Sequence, residues 1–433
     1  MKKYSILIII LHLLVTATRA QQTPAPSQKE RILITGTLLH IGNGEVISNA
    51  AIGFTDGKID YVGNSTEVNK NGYSKIIDAS GKHVYPGFIG MNTTLGLVEI
   101  DAVRATDDDG EIGGIIPHVR SQIAYNAESK VVESVRPNGI LIAQVAPRGG
   151  RISGTSSVMQ LDAWNWEDAT LKKDDGVHMN WPDTYKRGRW WAGEDPALKP
   201  NKNYGKEVQE IKDFFTEAKA YLSGNKTPRN LPFEAVEGLF NGTQKLYINA
   251  DDLKQITEAV NFGKETGIKH MVIVGGNEAH LATELLLENN VAVLLSRPHR
   301  LPSSDDDDVK HPYMLAALLD EKGILTGIEM SGQMERMNTR NLPFYAGTFA
   351  AYGLDKEKAV KLITGNAAEI AGIADRAGTL EIGKDATLFI SEGDALDMRT
   401  NQLTHAFIEG REISLETHQT ELWKRYSEKY END

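Results

Sequence analysis

Residues 84–97 read VYPGFIGMNTTLGL, and this stretch decides the fold. Pro86 and Gly87 break the chain, and the apolar run from Phe88 then starts a buried strand. Alternate residues of a strand share one face, so Asn92 and Thr94 stand together at its end. Imidazoles at such positions chelate a divalent transition metal jointly, whereas amide and hydroxyl oxygens are poor zinc ligands that suit hard cations sharing carboxylates.

From Pro86 onward apolar β-branched runs at 140–145, 245–249, 270–275, 291–295 and 324–330 alternate with amphipathic segments of helical period. That order predicts a parallel sheet, and its length predicts a (β/α)8 TIM-like barrel with chemistry at the C-terminal strand ends. A doubly wound sheet is the alternative. Before it, short strands at 31–41, 50–55, 58–62 and 75–78 are separated by Gly-Asn, Asp-Gly and Asn-Gly turns. Strands return at 386–390 and 403–408, which makes the barrel (86–375) an insertion in a small composite β-sandwich, 30–85 plus 376–414. A C-terminal helix is expected over 415–433.

Lys2 and Lys3, the apolar run 6–15 and Thr18-Arg19-Ala20 spell a secretory signal peptide over 1–20, cleaved near Ala20. The expectation is an exported protein, periplasmic or secreted, with residues 21–29 as an unpacked linker. The run is too short to span a bilayer, and no later segment qualifies. With no cysteine, disulfides, thiolate metal sites, a cysteine nucleophile and a lipid-anchored cysteine are excluded. A net charge of −12 argues against nucleic acid or an anionic membrane as the main partner.

The stretches GTLLHIGNGEVISNAAI, GKHVYPGFIGMNTTLGLVEI and LITGNAAEIAGIADRAGTLEIGKDATLFI together resemble the amidohydrolase superfamily, near imidazolonepropionase-related proteins. The resemblance implies a hydrolase of non-peptide carbon–nitrogen bonds and a zinc or other divalent metal. Its histidine pair falls on Asn92 and Thr94, and the preceding aspartate on Gly90. The fifth-strand histidine falls on Asn249, the sixth-strand histidine on Gly275-Gly276, and the eighth-strand aspartate near Ser331, with Glu329 beside it. The metal site is therefore expected to be degenerate, with no resident cofactor. Without a metal to lower the pKa of bound water to about 7, attack needs another activator.

Candidates for that role come from the acidic segment 99–111, Glu99 and Asp101 first, and from Glu278 and Ser331 at later strand ends. Arg148 and Arg151 in PRGGR can hold a carboxylate or phosphate. Asn92, Thr94, Asn249 and His280 complete the expected ligand-binding set, although His280 fits the first turn of a helix better. Asp305 to Asp308 read as a solvated lid. Five of six tryptophans, Trp164, Trp166, Trp181, Trp190 and Trp191, crowd one segment that suggests a mini-core, a stacking platform or a subunit contact. The remaining reading is a noncatalytic protein that binds a small amide or sugar-like ligand, forms a homo-oligomer, or pairs with a metal-bearing amidohydrolase.

Overall fold

Short β-branched runs separated by tight turns pair in order along the first part of the chain. The computed structural model describes residues 23–302, 306–332 and 335–431, so the signal segment and its cleavage point lie outside the described residues. β1 (Ile32–His40), β2 (Val46–Thr55) and β3 (Lys58–Asn64) form an antiparallel meander. β4 (Lys75–Asp78) and β5 (His83–Pro86) pair in parallel with the first and second halves of β1, which bulges between them at Gly36, where φ is +79°.

β6 (Phe88–Thr93) follows directly and starts the barrel. β7 (Ile140–Val145), β8 (Ile152–Gln160), β9 (Thr170–Asn180), a surface hairpin of β10 (Tyr185–Arg187) and β11 (Leu198–Pro200), then β12 (Lys245–Ala250), β13 (Met271–Gly275), β14 (Ala292–Leu295) and β15 (Thr326–Ile328) continue the chain. The last strands, β16 (Leu388–Ser391), β17 (Leu403–Ile408) and β18 (Arg411–Glu412), return to β5, giving the eight-stranded order β18-β17-β16-β5-β1-β2-β3 with β4 on β1. This sheet, assembled from both ends of the chain, encloses its own core of Ile34, Ile52, Phe54, Leu388 and Phe407.

The barrel sheet runs β6-β7-β8-β9-β12-β13-β14-β15 and closes where Met91 bridges Glu329 and Met330 N donates to Met91 O at 2.9 Å. The fold is thus the expected mixed α/β barrel, with one departure. β8 runs antiparallel to both neighbours, so a hairpin stands where a strand–helix–strand unit was expected. Its sequence, ISGTSSVMQ, is too rich in hydroxyls to announce a buried strand, yet every residue is buried.

Outside the barrel, the helix Leu253–Thr266 shows why such segments fold. Asp252 and Gln255 form a reciprocal capping box, and Gly267 ends the helix in the left-handed conformation. Ile256, Ala259, Val260 and Phe262 fall at helical spacing and are buried with Leu246 and Ile248 of β12. Each large side chain so buried contributes about 1.5–3 kcal/mol. The short helix Gly365–Ala371 plugs the barrel floor with Ala367, Ala368 and Ile370 against Ile89, Ile142 and Val272.

Residues 23–29 do not run as an unpacked linker. Ala25 N donates to Asp162 Oδ2 at 2.9 Å, Arg411 Nη1 donates to Ala25 O, and Gln28 hydrogen-bonds Gly57 N and Phe54 O. Asp162 is itself clamped by the Arg136 and Arg411 guanidiniums, both at 2.8 Å, so this short segment closes a buried ionic cluster. Nor do the tryptophans form a mini-core. Trp181 is buried on Phe262 and donates to Tyr204, while Trp164, Trp190 and Trp191 are exposed. The C-terminal helix spans His418–Glu431, and among the described residues no helix is long and apolar enough to cross a bilayer.

Candidate functional site

The C-terminal ends of the parallel strands, and the start of antiparallel β8, meet at one mouth. Parallel pairing makes partnered side chains share a face, and Tyr247, Val272 and Leu294 of the inner core fix which face is inward. His178 pairs with inward Tyr247, Asn180 pairs with Asn249, and Glu329 bridges Met91. The interior is therefore polar toward the mouth.

Asn92, the last residue but one of β6, has φ of +52° and is 1% exposed. Arg148, from the β7–β8 connection, grips it twice: Nη1 donates to Asn92 Oδ1 at 3.0 Å and Nη2 to Asn92 O at 2.6 Å. The Asn92 N–H donates to Gln144 Oε1 at 3.0 Å. Burial pulls the Arg148 pKa down from its ordinary value, while Glu329 and Asp109 act in the opposite sense. His178 stacks on Tyr247, ring centroids 4.7 Å apart, and burial with the nearby Arg148 charge drives its pKa well below the usual imidazole range.

Across the mouth, Asp251 follows β12. Its side chain reaches solvent, yet the surrounding walls desolvate it and push its carboxyl up to about 6, with Arg300 opposing. Gly275, at φ +95°, makes room for it, since a Cβ there would lie 2.5 Å from Asp251 Oδ1. Buried Glu329 accepts from Ser296 Oγ at 2.8 Å and from Ser331 N at 2.5 Å. Burial also lowers the Arg300 pKa, opposed first by Asp251 and then by Glu329. In the loop after β6, burial and neighbouring Asp107 push Asp109 up to about 6.

The expected site residues divide accordingly. Asn92, Arg148, Asn249 and Ser331 all stand at strand ends of the mouth, Asn249 donating to Asn180 Oδ1 at 2.7 Å and Ser331 serving Glu329 through its backbone. Thr94 is buried where the chain turns, its carbonyl accepting from Leu97 N. Arg151 reaches Asn180 O and Glu207. Glu99 accepts from Asn126, and Asp101 is exposed on the same loop. Glu278 accepts from Leu253 N at 2.7 Å and caps that helix. His280 sits in a 3₁₀ turn with its ring 4.5 Å from that of His311, a pairing that their separation in sequence concealed.

Sequence reasoning missed Asp251, Arg300 and His178. Asp251 hides beside the capping residue Asp252; the signal available was a second aspartate directly after an apolar strand. His178 lies in β9, TLKKDDGVHMN, whose charged start disguises a strand.

These residues do not fit the divalent metal that the resemblance implies. Among the described residues no three of His, Cys, Asp and Glu come together to hold one. At the end of β6 the polar oxygen of Asn92 is already taken by a guanidinium, a cation where a metal would need donors.

Comparison with known proteins supplies context. The sequence profile of the amidohydrolase family matches residues 234–413. An amidohydrolase from Thermotoga maritima MSB8 is 22% identical, with a TM-score of 0.75 over 88% of this chain and 99% of that one. A putative prolidase from Bifidobacterium longum is 14% identical, TM-score 0.54, over 90% and 95% of the two chains. An adenosine deaminase from Xanthomonas campestris with bound zinc is 13% identical, TM-score 0.54, over 94% and 99%. At these identities the likeness establishes the fold. No curated protein matches the chain.

Proposed function

We propose that this chain is an exported member of the amidohydrolase superfamily that hydrolyses non-peptide carbon–nitrogen bonds of a small molecule, at a barrel mouth lacking the superfamily's metal shell. The observation that carries it is the placement of Asp251, Arg300 and Glu329 just after strands five, seven and eight of the barrel, at the C-terminal ends where such a barrel carries its chemistry. The amidohydrolase profile over 234–413 spans those same strands and supports the reading.

In this reading the ionised Asp251 accepts a proton from water as the water oxygen bonds the substrate carbonyl carbon. Arg300 opposes the negative charge that develops on the carbonyl oxygen. Asp251 then returns the proton to the nitrogen as the carbon–nitrogen bond breaks, so the carboxylate is regenerated. A carboxyl at about 6 is close enough to neutrality to serve in both directions.

The test is a screen of linear and cyclic amides with the purified chain, with and without added zinc or manganese, beside Asp251→Asn. Turnover in metal-free buffer that falls at least a hundredfold in the variant is expected. Turnover that appears only with metal, or survives the variant, rejects the mechanism. A second reading, a noncatalytic ligand-binding subunit that pairs with itself or with a metal-bearing amidohydrolase, is favoured by the Arg148 grip on Asn92; absence of turnover on every amide, with a stable complex on co-purification, establishes it.

A further inference from the structure

Three buried polar atoms beside strands one, two and four are left without partners. Asn92 and His178 are 1% and 2% exposed, and neither Asn92 Nδ2 nor His178 Nε2 has a hydrogen-bond partner; Arg148 Nε is buried and unpartnered as well. They lie around one connection, because Arg148 is bonded to Asn92, and His178 stands on β9 two residues before Asn180, whose Nδ2 donates to Gly150 O beside Arg148 at 2.8 Å. A buried donor left unmade costs about 1–3 kcal/mol, so two in one place, Asn92 Nδ2 and Arg148 Nε, are a sizeable standing penalty. Two of the three can only donate, and a neutral imidazole can present its N–H. The missing partner is an acceptor, and beside a guanidinium the acceptor that gains most is an anionic oxygen.

We propose that Asn92 Nδ2, Arg148 Nε and His178 Nε2 form an oxyanion subsite that selects substrates carrying a carboxylate. Resting on the hydrolase reading above, this makes the substrate class carboxylate-bearing amides, held by the carboxylate at strands one, two and four while the scissile bond faces Asp251. Arg148 and Asn92 are positioning residues here, since they hold the part of the substrate that does not react.

The experiment is calorimetric titration of the full chain with N-acetylglycine and with its neutral counterpart N-acetylglycinamide, repeated on Arg148→Met and Asn92→Leu. Binding of the anion at least tenfold tighter than the amide, a preference that shrinks to within twofold in either variant, is expected. Equal affinities, no saturable binding of either, or a preference that survives both variants overturns the subsite. The wild-type comparison needs no variant to fold. N-acetylglycine bound but uncleaved leaves the subsite standing and removes the hydrolase reading. Cleavage of both compounds with equal kcat/KM does the reverse.

Discussion

The floor and the mouth of the same barrel treat polar groups in opposite ways. At the floor, buried Asp175 accepts from Gln144 Nε2 at 2.6 Å, Ser156 Oγ at 2.8 Å and Tyr247 Oη at 3.1 Å, and Tyr247 also bonds Ile370 O. At the mouth, Asn92 Nδ2, Arg148 Nε and His178 Nε2 are buried with no hydrogen-bond partner. A satisfied network specifies a core, and a buried polar atom left unsatisfied calls for a partner, whether water, an ion or a ligand. Gln144 joins the two, since its Oε1 accepts from Asn92 N while its Nε2 serves Asp175.

The strongest way to break the contrast is Asp175→Ala. It removes the acceptor that three buried donors share and should cost about 3 kcal/mol in urea unfolding, whereas a loss below about 1 kcal/mol would mean the floor is no structural network. Gly275→Ala comes next: strain at φ +95° and the clash with Asp251 together should cost about 2 kcal/mol and shift the carboxyl, read as a lower Tm and altered pH response. Arg148→Met should cost about 1 kcal/mol or less in unfolding while abolishing preference for anionic ligands, which separates the mouth from the floor.

The pH dependence sharpens the comparison further. Because the folded Asp251 carboxyl lies at about 6, above its unfolded value of about 3.9, its contribution to stability is greatest at low pH and falls as pH rises between those values. Turnover runs the other way, rising through pH 6 as the base ionises. A rate profile that is flat between pH 5 and 7 would remove Asp251 from the chemistry. Smallest of all, Trp190→Ser and Trp191→Ser, exposed on the β10–β11 connection outside both clusters, should stay within about 0.5 kcal/mol of the parent in Tm-derived stability.

Much of the barrel was legible because β7, β12, β13 and β14 are short, largely apolar runs set between helical segments, the pattern of buried parallel strands. β8 and β9 were not, since their inward positions carry the serines, the aspartate and the histidine of the polar interior, and period-two polarity there imitates a loop. Arg148 and Asn92 stood out as oddities at a strand end. Asp251 did not, because an Asp-Asp pair before a helix has a complete explanation as a cap. Contacts between residues far apart in sequence, such as His280 with His311, leave no local trace.

The reversed strand β8 bears on the energetics of recognition. Its connection to β7 is stitched to the loop after β6, with Arg148 N on Asp109 O, Arg151 N on Gly114 O and Ile116 N on Ile152 O. The guanidinium therefore projects from backbone already pinned on both sides rather than from a swinging helix-bound loop. A ligand arriving there has little chain entropy left to freeze, so affinity on that side should be set by desolvation and charge, and change little with loop length.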